Sequence, residues 1–168
     1  MTATVLDLVI PKRLWFTSNS REHWQARRRK TKELRALAAW SARAQGVPTF
    51  ARAHLVAHVS YPTNGRADPG NVVGTVLKAL TDGLVDAGVL PDDDHTHLIG
   101  PDPRRGPKTG QAGVWKVRLQ INPLPEPEPE PEPSRGRRAS ERRHRSRTAA
   151  LAAAYDQHLY DTNPEEHP

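Results

Sequence analysis

From Pro125 to Pro133 the chain alternates proline and glutamate without a break. Proline fixes its own φ, removes a backbone donor and biases the residue before it toward extended backbone. Four like charges in that run stiffen it further. Such a segment joins neither a helix nor a packed sheet; it favours an extended polyproline spacer, about 11 residues at ~3.1 Å each, or roughly 35 Å. The chain of 168 residues therefore divides into a folded domain at 1–122, a Pro-Glu linker at 123–134 and a basic tail at 135–168. About 120 residues are enough to bury a single core. In the tail, an arginine cluster is followed by Thr148-Ala149-Ala150-Leu151-Ala152-Ala153-Ala154, which favours helix. A basic arm that contacts phosphates and a partly disordered solubilising extension are both open there.

Within the domain, hydrophobic periodicity predicts a strand at Val5–Ile10, closed by Pro11. Ser20 is the expected cap of a helix running to about Gln45, with Trp24, Leu34, Leu37 and Ala38 on its buried side and Gly46-Val47-Pro48 as its stop. His54 to Tyr61 alternates as a half-buried strand, and Pro62-Thr63-Asn64-Gly65 makes a turn. A second helix is expected from Pro69 or Gly70 to Ala87, ended by Gly88. Its apolar ridge is Val72, Val76, Leu80 and Leu84, flanked by Val73 and Leu77. A short strand at His95–Ile99 and a strong one through Trp115, Val117, Leu119 and Ile121 complete the order strand, helix, strand, helix, strand, strand. That order predicts an α+β fold, two helices on a small mixed sheet.

The absence of cysteine excludes disulfides, thiolate zinc sites and cysteine nucleophiles. No run approaches the ~20 apolar residues of a membrane span, and the opening residues lack the layout of a secretory signal, so a cytoplasmic protein is expected. Residues 1–122 carry 18 Lys and Arg against 10 Asp and Glu. A basic domain whose acids are concentrated in one region suits a nucleic-acid enzyme, with cations holding phosphates and carboxylates holding metal.

Phosphodiester hydrolysis needs an activated water and a counter-charge for the phosphoryl oxygens. Hard cations such as Mg²⁺ supply both and take carboxylate ligands. Two acidic clusters are candidates: Asp68, before the second helix, and Asp92, Asp93 and Asp94, after it. Each also has an ordinary reading, as helix cap and solvated loop respectively. At 100° per residue Asn71, Thr75, Lys78, Asp82 and Asp86 share one polar helical face, which either carries a lysine toward a phosphate or merely faces solvent. His95 and His97 could join the carboxylates from one face of a strand, but two imidazoles without cysteine make zinc a poor fit.

The stretch Arg66-Ala67-Asp68-Pro69-Gly70-Asn71, then Lys78-Ala79-Leu80-Thr81-Asp82-Gly83-Leu84, then Leu90-Pro91-Asp92-Asp93-Asp94 resembles the RusA family of Holliday junction resolvases. The resemblance extends over about residues 5–121, and its specific part is 66–94. It implies a homodimeric α+β endonuclease, found in bacteria and often phage- or prophage-encoded, with no nucleotide cofactor. Such an enzyme nicks four-way DNA junctions symmetrically in recombination and repair, using Mg²⁺ with Mn²⁺ as a substitute. By the same resemblance Asp68, Asp93 and Lys78 are catalytic and Asp68, Asp92 and Asp93 are metal ligands, with Asp94 added to the expected metal-ligand set. Arg66, Arg27, Arg28, Arg29, Lys30, Arg104, Arg105 and Lys108 are the expected DNA contacts, and branched DNA the partner.

Two departures from the family pattern stand in this chain. Gly70 replaces the second motif carboxylate, and Lys78 follows Asn71 by seven residues rather than three. That insertion turns a helix by about 40° and moves the lysine ~6 Å along the axis. Asp94 or Asp82 could replace the missing ligand. A DNA-binding module of the same fold that does not cut, and a chain whose working parts are the linker and tail, are the competing readings.

Overall fold

The structure, a computed structural model, describes residues 2–125; the linker beyond Pro125 and the basic tail lie outside them. Strand β1 (Thr4–Pro11), helix α1 (Trp24–Ala44), strand β2 (Ala53–Ser60), helix α2 (Lys78–Asp86), strand β3 (Leu98–Arg105) and strand β4 (Val114–Pro123) follow one another. The sheet order is β1-β4-β2-β3. β4 is antiparallel to both neighbours, while β2 and β3 are parallel. Two helices on a four-stranded mixed sheet make an α+β fold, as the element order predicts.

Period-2 alternation gives the sheet one buried face. Leu6, Leu8 and Ile10, then Leu55, Ala57 and Val59, then Val117, Leu119 and Ile121 are all at most 2 % exposed. Their registers coincide, with Leu6 opposite Leu119 and Leu119 opposite Ala57. Against this face pack Leu34, Ala38 and Ala42 of α1 and Leu80 and Leu84 of α2. Full burial of each leucine stabilises the fold by roughly 1.5–3 kcal/mol. The opposite sheet face stays open, with Val5 and Val9 about half exposed. The two helices approach closely at Gly83, where an added Cβ would lie 2.4 Å from the Arg35 carbonyl and 2.6 Å from Ala38 Cβ.

Helix boundaries differ from expectation for local reasons. Ser20 does not cap α1: its hydroxyl accepts from the Thr17 amide at 2.9 Å and closes the preceding turn. His23 is the cap, its Nδ1 accepting from Gln25 N. Trp24 is not on the buried side; it is 61 % exposed. At the far end Gly46 adopts φ +65° and ends the helix, the left-handed conformation that favours glycine.

The segment before α2 is not one regular helix. A 3₁₀ turn (Pro69–Val72) passes into a π turn (Val73–Leu77) and only then into α2. These turns carry i→i+3 and i→i+5 bonds, so a uniform 100° per residue loses phase across them. Thr75, expected on the polar face, is buried and donates to the Phe16 and Val72 carbonyls at 3.3 Å. The ridge Val72, Val76, Leu80, Leu84 is fully buried.

The third strand is longer and later than His95–Ile99. Asp94 instead caps a turn across 94–97, so His95 and His97 do not project from a strand, and His97 Nδ1 bonds the Ala51 carbonyl. β3 then runs through Pro101 and Pro103, which a sheet tolerates at an edge. Its register shifts between His54 and Val56, opposite Gly100 at φ +98°, where a Cβ would meet the Leu55 carbonyl at 2.5 Å.

Candidate functional site

α2 carries Lys78 and Asp82 one turn apart, so their side chains align. Lys78 Nζ donates to Asp82 Oδ1 at 2.7 Å and also to Asp93 Oδ2 from the loop that leads into β3. Two carboxylates from separate segments thus converge on one cation. Asp82 and Asp93 retain 19 % and 30 % side-chain exposure, so water reaches both. Donating to Asp82 and to Asp93 raises the Lys78 pKa above its ordinary value, and the Lys78 contact holds Asp93 below the usual carboxylate range.

Arg35 of α1 closes the acidic edge. Its guanidinium grips Asp86 through Nε and through Nη2 at 2.6 Å and stands 3.9 Å from Asp82. Hydrogen bonding to Arg35 lowers the Asp86 pKa. Sequence reading gave Arg35 no role; its partner is 51 residues away, and nothing local marks it.

The other two acids of the loop are occupied locally. Asp92 Oδ1 accepts from Asp93 N at 2.7 Å. Asp94 Oδ1 accepts from Thr96 N at 2.8 Å, from Thr96 Oγ1 at 2.6 Å and from His97 N. The Thr96 hydroxyl lowers the Asp94 pKa. Of the two candidates for the missing ligand, Asp82 shares Lys78 with Asp93, and Asp94 turns to Thr96 and His97.

Asp68 sits elsewhere. Its Oδ1 caps the 3₁₀ turn by accepting from Gly70 N at 2.8 Å. Parallel pairing of β2 with β3, Ala53 opposite Leu98 and Val59 opposite Arg105, puts the segment leaving β2 and the segment entering β3 at opposite ends of those strands. Asp68 follows the first end and Asp92–Asp94 precede the second. Among the described residues no group of three or more His, Asp or Glu side chains is placed to hold a metal ion, so Asp68 does not complete a triad with Asp82 and Asp93.

The cations expected to meet DNA fall into two groups. Arg105 is committed to the fold: Nη2 donates to the Gly65 carbonyl at 2.8 Å, Nη1 to Ala67 O at 3.3 Å, and the guanidinium lies 5.4 Å from the Tyr61 ring centre. It thereby fixes the loop that carries Arg66 and Asp68. Burial raises the Tyr61 pKa, and its ring meets Trp15 edge-on. Arg27 donates to Thr17 O, and Lys30 to Glu22 at 2.6 Å, so both tie down the loop before α1. Arg28, Arg29, Arg66, Arg104 and Lys108 are exposed. Lys108 lines a groove of about 550 Å³ on the open sheet face with His58, Lys116 and Arg118, where Arg118 is paired with Asp7 at 2.8 Å.

Comparison with protein-family models finds no match to this chain, and comparison with curated protein sequences finds none either.

Proposed function

We propose that the protein is a magnesium-dependent, structure-selective DNA endonuclease that resolves Holliday junctions by paired nicks, acting as a homodimer. One observation carries the reading: Asp82 and Asp93, from α2 and from the loop before β3, converge on a single cationic group. Magnesium is commonly held by one or two carboxylates, with waters and substrate phosphate filling its remaining positions. Two partly exposed carboxylates fit that donor set; Asp82 takes the place expected of Asp94, and Asp92 supports Asp93 through its backbone amide. A divalent cation held there by Asp82 and Asp93 would supply an activated water and counter-charge at phosphorus. Lys78 then offers its ammonium to a phosphate oxygen, stabilising charge that develops on it. Asp68 and Arg105 order the Arg66 loop, so that Arg66 approaches the backbone from a fixed base.

A second reading draws on the same site: a branched-DNA-binding protein that does not cut. Asp68 is spent on a cap and Lys78 already neutralises the acidic pair. One experiment separates the two. A labelled synthetic four-way junction and a matching linear duplex are incubated with the protein in Mg²⁺, Mn²⁺ or EDTA and run on denaturing gels. Paired nicks in the junction alone, abolished by EDTA and by Asp93→Asn, are the expected result. Junction binding without cleavage in either metal refutes the endonuclease and leaves the binding module.

A further inference from the structure

The first residue of α1 is an exposed tryptophan standing among unpaired cations. Trp24 lines a surface depression of about 440 Å³ with Gln25, Arg28, Arg29 and Lys32. Among the described residues none of these three cations makes an ion pair, and no acidic side chain lines the depression. The other exposed tryptophan, Trp40, lines an apolar groove whose charges are Arg13 and Glu33, paired with each other. Trp15 and Trp115 stack on one another at 5.1 Å. Only at Trp24, of these four, is an exposed indole, with the His23 ring tilted beside it at 5.8 Å between centres, combined with uncompensated positive charge.

We propose that Trp24 is a base-stacking platform for an unpaired nucleobase of bound DNA, with Arg28, Arg29 and Lys32 holding the neighbouring phosphates; this rests on the DNA reading above. An indole offers a π-face to any base, and flanking cations track the strand that carries it. The helical phase links this platform to the acidic site. Trp24, Arg28, Lys32 and Arg35 fall within an ~80° sector of α1, and Arg35 reaches Asp82. Eleven residues separate Trp24 from Arg35, a rise of about 16 Å, or roughly five nucleotides at 3.4 Å each. A strand lying along this stripe brings one phosphate to the acidic site while a base several nucleotides away rests on the indole. A branch point interrupts base stacking, so a base can leave the stack there at reduced cost.

The full chain is tested in EDTA by fluorescence anisotropy against a labelled four-way junction, an oligothymidine strand and a linear duplex. Trp24→Ala is expected to weaken junction and single-strand binding about tenfold, the loss of one base–aromatic stack, and to leave duplex affinity and its salt slope unchanged. Trp24→Phe, which keeps a π-face, should stay within about threefold of the wild type, and Trp40→Ala should match it. Thermal melting of Trp24→Ala should coincide with the wild type, since the side chain is largely in water. Wild-type affinity in Trp24→Ala, an equal loss in the phenylalanine variant, or an equal loss on duplex each overturns the stacking role. A wild type that binds none of the three DNAs overturns the DNA reading beneath it instead.

Discussion

Lys78 on α2 donates to Asp93, fifteen residues further along the chain, and so pins the loop that enters β3 against the helix before it. The same ammonium serves Asp82, which makes this residue trio the point where the polar side of α2 and the acidic loop become one surface.

That arrangement ranks the acids. In the junction-cleavage assay, Asp82→Asn and Asp93→Asn should both reduce the rate to background, whereas Asp94→Asn should leave most of it. Lys78→Ala should slow cleavage about 10²–10³-fold, the usual consequence of removing one group that stabilises developing charge, with junction affinity little altered. A severe loss in Asp94→Asn with a mild one in Asp82→Asn would reverse the ligand assignment.

The ion pair also predicts how stability depends on pH. Asp93 is held below its ordinary pKa by Lys78, so the unfolded chain binds its proton more readily than the folded one. The resulting stabilisation is present above the unfolded carboxylate value of about 4 and is lost as pH falls through the lower folded value. Lys78 is raised, so its share is present below about 10.4 and is lost as pH rises through the folded value. Melting temperatures measured in EDTA from pH 7 to pH 2.5 should fall more steeply for the wild type than for Asp93→Asn. Parallel curves would show that the pair contributes nothing.

Gly83 is a packing residue. A methyl group there meets the Arg35 carbonyl and Ala38 Cβ well inside contact distance, and α1 and α2 must separate to admit it. Gly83→Ala should therefore destabilise the domain by about 1–3 kcal/mol despite alanine's better helix propensity. Urea unfolding gives the value directly; a stabilised variant would mean that the helices slide apart at no cost.

Salt dependence distinguishes the two groups of cations. Arg28 and Arg29 are exposed, and each phosphate contact contributes roughly 0.9 to the slope of log affinity against log salt. Arg28→Ala with Arg29→Ala should flatten the slope for duplex DNA by about 1–2. Arg105→Ala should act chiefly on the fold, because its guanidinium holds the Gly65 and Ala67 carbonyls. The expected signs are faster proteolysis of the 61–68 loop and a lowered melting temperature.

The sequence by itself determined most of the elements and the core, though not the irregular start of the second helix or the position of the third strand. Alternation at Leu55, Ala57 and Val59, the ridge from Val72 to Leu84, and the stops at Gly46 and Gly88 are local patterns, and local patterns dictate which face a strand or helix buries. It also marked Lys78 and Asp82 as sharing a polar helical face and the Asp92–Asp94 run as an acidic cluster, but paired that cluster with Asp68. Tertiary structure alone decided how these acids are used. Parallel pairing of β2 with β3 is a long-range choice, and it separates the end that carries Asp68 from the end that carries Asp93. A π turn upset the uniform helical phase and buried Thr75, and packing left Trp24 facing outward. Arg35 found Asp86 only because Gly83 lets two helices touch. Each of these outcomes depends on contacts between residues far apart in the chain, and periodicity in one dimension carries no record of them.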